Sequence, residues 1–220
     1  MDMKILQVSD IHGSFSAVKR IAEKVGGEGY DLVVAAGDIT NFGTVEEAEA
    51  LLGEISDQGV AVVFVAGNCD PEDMLSWKPR GGRIINLHLK STELGGYELL
   101  GLAGGGPKSV GTIIEFNEEQ FKELLSGLNP SREGFILVSH TPPYGTGADL
   151  TGGSHVGSTA IREYVEKTTP ILVSCGHIHD ARSVSKVGKT TVVNAGPAKQ
   201  GNCAVITIRD GEVEAVLDKL

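Results

Sequence analysis

Five times along this chain an apolar run stops at a residue whose side chain can hold a cation. Ile5-Leu6-Gln7-Val8 leads to Asp10-Ile11-His12. Asp31-Leu32-Val33-Val34-Ala35-Ala36 leads to Gly37-Asp38. Val60-Ala61-Val62-Val63-Phe64-Val65-Ala66 leads to Gly67-Asn68-Cys69-Asp70. Phe135-Ile136-Leu137-Val138 leads to Ser139-His140, and Ile171-Leu172-Val173-Ser174-Cys175 leads to Gly176-His177-Ile178-His179. Such runs read as buried strands, and open α/β sheets build their sites beyond the C-terminal ends of their strands. The fold must therefore gather the ends of separate strands at one edge. Gly37-Asp38 is the centre of the pattern: the glycine permits a sharp turn, and Asp38 is the carboxylate expected to bridge two cations.

The intervening segments supply the rest of an α/β chain. Strand 4–9 precedes a helix from Ser14 to about Val25, with Ala17, Val18, Ile21, Ala22 and Val25 on one face. Strand 31–36 precedes a helix opened by the capping sequence Thr44-Val45-Glu46-Glu47 and running to about Asp57, before strand 60–66. This alternation predicts parallel strands with right-handed crossovers. Residues 83–102 read as short strands with a hairpin tip at Gly95-Gly96, followed by a glycine-rich loop over 101–111. A capped helix begins at Asn117-Glu118-Glu119-Gln120 and ends near Leu128. Strand 134–139, a loop over 141–157, a helix to about Lys167 and strand 170–175 come next. The tail is a meander of strands 183–187, 190–194, 203–209 and 212–217. Two blocks of strands with helices predict a four-layer αββα sandwich spanning 1–220 as one domain: two mixed sheets face to face, with helices on both outer sides.

A net charge of -10 argues against non-specific nucleic-acid binding and against an anionic membrane surface, both of which require a basic face. It does not exclude an anionic substrate, because bound cations reverse the local field. The three cysteines Cys69, Cys175 and Cys203 have no framework spacing, so reduced thiols and a cytoplasmic location are expected. No apolar run approaches the length of a membrane span.

Asp10, His12, Asp38, Asn68, His140, His177 and His179 form the ligand set. Carboxylate, imidazole and amide donors suit manganese, iron, zinc, nickel or cobalt better than copper(I) or calcium. These residues are too many for one tetrahedral zinc, but fit two octahedral cations sharing Asp38. Two metals roughly 3.5–4 Å apart clamp an in-line displacement at phosphorus. A water bridging them loses its proton and becomes the nucleophile.

In order along the chain, Asp-x-His, Gly-Asp, Gly-Asn-x-Asp, a lone His and Gly-His-x-His resemble the calcineurin-like metallophosphoesterase superfamily, across residues 10 to 179. The resemblance implies a dinuclear phosphoesterase, more specifically a phosphodiesterase acting on a small phosphoester. Two divalent transition metals are implied, with manganese the first expectation. Asp10, His12, Asp38 and His179 would hold the first metal, and Asp38, Asn68, His140 and His177 the second. Asp38, Asn68 and His140 are assigned to catalysis as well. Many members carry His after the Asn of the third motif, where this chain has Cys69. That resembles a subset of small prokaryotic-type phosphodiesterases, and places Cys69 against the substrate. Beside two cations its thiol would drift toward thiolate. The alternatives are a non-catalytic scaffold of the same fold, as in the retromer subunit, and a protein serine/threonine phosphatase.

Four residues outside the ligand set complete the reading. His155 lies in a glycine-rich loop before a helix whose N-terminus could hold an anion; it is either a substrate contact or a surface histidine. Asp70 either caps the segment toward Trp77 or orients His12. His88, in the alternating Asn86-Leu87-His88-Leu89, reads as a solvated strand residue, and Cys175 reads as core.

Overall fold

The computed structural model describes residues 2–106 and 111–220. The glycine-rich stretch expected over 101–111 therefore lies partly outside the described residues, at 107–110. From the N-terminus the elements are β1 (Met3–Val8), α1 (Phe15–Glu28), β2 (Leu32–Ala36), α2 (Val45–Ser56), β3 (Ala61–Val65) and β4 (Ile84–Asn86). Next come β5 (Ser91–Leu94), β6 (Tyr97–Leu102), α3 (Glu118–Ser126), β7 (Ile136–Ser139), β8 (Leu150–Thr151) and β9 (Ser154–His155). The chain closes with α4 (Thr159–Thr168), β10 (Leu172–Cys175), β11 (Ser183–Val187), β12 (Thr190–Asn194), β13 (Asn202–Arg209) and β14 (Glu212–Lys219).

The strands form two mixed six-stranded sheets, in the orders β14-β13-β1-β2-β3-β4 and β11-β12-β10-β7-β6-β5. In the first, β1 to β4 are parallel, and β13 joins antiparallel to β1 with Ile5 opposite Ile206. In the second, β6, β7, β10 and β12 are parallel, between antiparallel edges β5 and β11. Helices α1 and α2 pack on each other and cover the first sheet; α3 and α4 do the same for the second. This is the sandwich that the apolar pattern predicts.

Local chemistry starts the helices where the sequence indicates. Ser14 accepts from the Ala17 amide, Thr44 from Glu47 and Ser158 from Ile161, while Asn117 and Gln120 form a reciprocal capping box. Each such cap contributes about 0.5–2 kcal/mol. The buried stripe of α1 is Ala17, Val18, Ile21, Ala22 and Val25, which turns that face onto the sheet. Between the sheets, the buried Gln7 side chain donates to the Cys175 carbonyl at 3.0 Å and the Val193 carbonyl at 2.9 Å. One amide on β1 thus ties the first sheet to two strands of the second, directly beneath the strand ends.

Two expectations change. The stretch 141–157 is not irregular throughout: it holds a single 3-10 turn (Gly147–Asp149) and the hairpin β8–β9, closed by Gly152-Gly153. Strands of two residues carry no periodicity to read. His88 is buried rather than solvated, because β4 ends at Asn86 and the chain then crosses to the second sheet. Its Nδ1 accepts the Ala103 amide at 3.0 Å. Among the described residues, no helix is long and apolar enough to cross a membrane.

Candidate metal centre

The loops beyond β1, β2 and β3 continue side by side after their strands end. The Asp10 amide donates to the Gly37 carbonyl at 3.0 Å, His12 to Asp38 at 2.9 Å and Gly13 to Ile39 at 2.9 Å. The Phe42 amide donates to Cys69 at 2.9 Å, and the Cys69 amide to Asp38 Oδ1 at 2.8 Å. On the second sheet, the His140 amide reaches the Leu102 carbonyl at 3.2 Å, and Gly176 reaches His140 at 3.0 Å. Ladder bonds therefore fix the relative height of every ligand loop.

The backbone at these positions is strained. Asp10, His12, Asp38 and His177 all have positive φ, at 54°, 48°, 50° and 67°. Non-glycine residues held in this region cost roughly 1–3 kcal/mol each and cluster at functional sites. Close approach is just as strict. A methyl group on Gly37 would overlap the His140 ring, and one on Gly67 would overlap the Asp38 carboxylate. Both glycines are therefore required for Asp38, Asn68 and His140 to share one space.

The side chains converge with acceptor facing acceptor. His140 Nδ1 is 2.8 Å from the Ala36 carbonyl, so that nitrogen carries the proton and Nε2 presents a lone pair. Yet Nε2 lies 2.9 Å from Asn68 Oδ1, while the Asn68 amide nitrogen faces Cys69 Sγ at 3.5 Å. Asp38 stands between the two halves, with Oδ2 3.6 Å from His12 Nε2 and Oδ1 3.6 Å from His140 Nε2. His179 Nε2 is 3.2 Å from both Asp10 Oδ1 and His12 Nε2. The His12 Nδ1 is buried without a hydrogen-bond partner. Lone pairs aimed at one another across these distances fit a cation between them. The donor atoms of Asp10, His12 and His179, of Asp10, Asp38 and His140, and of His12, Asp38 and Cys69 each lie within 4.8 Å of one another. His177 stands at the border, its ring 4.9 Å from that of His140 and its amide 3.3 Å from Asp10 Oδ2.

The electrostatics favour the deprotonated forms of Asp10, His12 and His177, but not of His179. Burial opposes ionisation of Asp10, but the hydrogen bond from His179 leads the opposing contributions, and the carboxyl is held below its ordinary value. Burial pushes His12 and His177 down, toward the neutral ligand form. His179 is raised, chiefly by its hydrogen bond to Asp10. Burial and the Asp38 charge push the Cys69 thiol up to about 12. Any thiolate character at Cys69 must therefore come from bound cations.

Neighbouring residues depart from the sequence reading or were absent from it. Asp70 does not touch His12, and the short turn after it has no side-chain cap. Its buried carboxylate instead accepts from Ile39 at 3.1 Å, the Thr40 amide at 2.7 Å and hydroxyl at 2.9 Å, and Gly67 at 2.8 Å. It thus ties the loop carrying Asp38 to the loop carrying Asn68. His155 is not among the converging donors; its Nδ1 is 2.8 Å from Asp149 Oδ1. Asp149 gave no sequence signal beyond being an acid in a loop. Lys199 was also missed: its amide lies 3.4 Å from the Asp10 carbonyl, and its charge acts on His12 and His179. Cys175 is core, as expected.

Comparison with known proteins follows the same outline. Residues 3–181 match the family model described as calcineurin-like phosphoesterase. The uncharacterized protein MJ1162 of Methanocaldococcus jannaschii is 33% identical over 204 residues, covering 89% of this chain and 88% of that protein. Among solved structures, TT1561 of Thermus thermophilus superposes with a TM-score of 0.72 at 19% identity, covering 98% of this chain and 99% of that one. A structure described as a novel archaeal phosphodiesterase superposes with a TM-score of 0.56 at 16% identity, covering 98% and 100%. These likenesses to solved structures concern the fold.

Proposed function

The chain belongs to the calcineurin-like phosphoesterase family, and from that premise we propose that it is a dinuclear, metal-dependent phosphodiesterase acting on a small phosphoester. The observation that carries this reading is the position of Asp38, 3.6 Å from His12 on one side and 3.6 Å from His140 on the other. Asp10, His12, Asp38 and His179 would hold one cation; Asp38, Asn68, His140 and His177 would hold the second. Two divalent cations bound there supply Lewis acidity for activating water and for neutralising charge on the phosphoryl oxygens. Manganese is the first expectation, with iron, zinc, nickel or cobalt as alternatives.

The chain's own residues define the rest. The Ala36 carbonyl fixes the His140 tautomer, so that Nε2 faces the site. Asp70 holds the Asp38 and Asn68 loops in register. A diester is preferred to a monoester because Cys69 stands where the motif resembles that of small prokaryotic-type phosphodiesterases. Metal-free protein is titrated with each candidate metal, and turnover of nitrophenyl phosphate is compared with that of bis-nitrophenyl phosphate. Uptake of two equivalents with faster diester turnover is expected. No metal uptake favours the scaffold, and faster monoester turnover removes the diesterase assignment.

A further inference from the structure

We propose that Asp149 and His155 form a proton-delivering pair for the leaving group, an inference that rests on the phosphoesterase reading and names a residue pair for it. The Asp149 carboxylate is fully buried. It accepts from Thr146 at 2.8 Å, Gly157 at 3.0 Å and Gly145 at 3.1 Å, and it faces His155 Nδ1 at 2.8 Å. These backbone donors keep the carboxylate ionised, in line with its lowered pKa. An ionised carboxylate accepts, so the His155 Nδ1 carries a proton and points inward. Nε2 is the nitrogen left for chemistry. The imidazole side chain is 36% exposed, and its ring meets that of Tyr144 edge-on at 5.6 Å. A carboxylate that fixes the tautomer and orientation of a solvent-reaching imidazole is the arrangement that general acid–base catalysis requires.

The pair is mounted on the loops that carry the site. On one side, Ser158 donates to Pro142 and Tyr144 to Ser158, both at 3.0 Å, which anchors the segment two residues beyond His140. On the other, β8 packs against the turn 179–181. There the Asn194 amide donates to Ala148 at 3.1 Å, Gly176 at 3.3 Å and Ile178 at 2.9 Å. One side chain thus holds the residue before Asp149 and both neighbours of His177. Elimination points the same way. Of the six histidines, His12, His140 and His179 converge on the candidate cation sites, His177 borders them with its ring against that of His140, and His88 is buried against the Ala103 amide. His155 is the remaining imidazole.

In the step, the oxygen of a water molecule bonds to phosphorus and releases one of its protons to solvent, as the P–O bond to the leaving group breaks. The His155 imidazolium gives its Nε2 proton to the departing oxygen, and the N–H electron pair stays on Nε2. The neutral imidazole keeps Nδ1–H on Asp149 and is reprotonated from water for the next turnover. Leaving groups that are already weak bases need this proton little.

The test is turnover of manganese-loaded wild type and His155→Gln on diesters with alkyl and aryl leaving groups of graded acidity, with metal content measured. His155→Gln is expected to keep its metal, to lose about 10²-fold or more on alkyl leaving groups, and to lose under about 10-fold on nitrophenyl. Equal losses on both classes, or none on either, overturn the pair while leaving the phosphoesterase reading intact. A wild type that turns over neither class with any metal removes both. Independently, ¹⁵N NMR of the metal-free protein is expected to find His155 protonated at Nδ1; a neutral Nε2–H tautomer overturns the assignment. Asp149→Asn should reproduce the leaving-group bias if it folds. If it does not fold, His155→Gln and the tautomer decide.

Discussion

Asn68 Oδ1 and His140 Nε2 meet at 2.9 Å, one at the end of a strand of the first sheet and the other at the end of a strand of the second. The His140 proton is directed at Ala36, so the contact brings two lone pairs together. A cation placed between them removes the repulsion and joins the two sheets at their shared edge. Binding of that kind is coupled to folding.

Asp38→Ala is expected to lower metal affinity and turnover by well over about 10²-fold, more than the loss typical of a group that merely supports a ligand. Asp38→Asn should fail as well, because a neutral amide bridges cations poorly. Metal titration followed by diester kinetics checks this. Two equivalents bound with near-normal turnover in either variant would end the two-metal reading.

Asp70→Asn turns an acceptor for the amides of Ile39, Thr40 and Gly67 into a group that also donates. The Asp38 and Asn68 loops then lose their common anchor. Metal affinity is expected to fall by about 10–100-fold, since outer partners of ligands typically contribute that much. Calorimetric titration decides; unchanged affinity in a folded variant would show that the loops hold their register without this carboxylate.

Cys69 contributes its backbone as well as its thiol, because its amide donates to Asp38 Oδ1 at 2.8 Å. Cys69→Ala keeps that amide. The variant is expected to retain both metals and to remain far more active than Asp38→Ala. Matched losses in the two variants, with metals still bound, would make the thiol essential.

His88 links pH to stability. Burial lowers its pKa to about 4, below the ordinary 6.5. Between those values the unfolded chain binds the extra proton and the folded one does not, so stability falls as pH drops from about 6.5 to about 4. The full loss is about 3 kcal/mol, because each tenfold change in proton affinity is worth about 1.4 kcal/mol. Melting curves of wild type and His88→Gln across that range should diverge, with the variant losing less on acidification. Parallel curves would mean that His88 titrates normally in the folded protein.

Much of the fold and of the converging donor set could be read from the chain because strand ends are local events. Val33 and Val34 are buried on β2, and the residues just past β2 must face the sheet edge, so Asp38 announced itself. Caps at Ser14, Thr44 and Asn117 are equally local. The misreadings share a different character. Asp70 bonds to residues some thirty positions earlier in the chain, and His88 meets an amide across a crossover between sheets. Asp149 gains its partner only once a hairpin without periodicity brings His155 back to it. The positive φ values at Asp10 and His12 accompany ladder bonds to the loop after β2, and that at His177 accompanies a bond from its amide to the Asp10 carboxylate, none of which a local pattern encodes.

The ribbon β8–β9 pairs with itself and with neither large sheet. Its tip, Gly152-Gly153, faces open space: a methyl group on either glycine would meet nothing within 4 Å. Insertions at that tip can lengthen the ribbon without shifting the register of either sheet or displacing a ligand loop. Chain length can therefore vary at this point between relatives while both sheets keep their strand pairing.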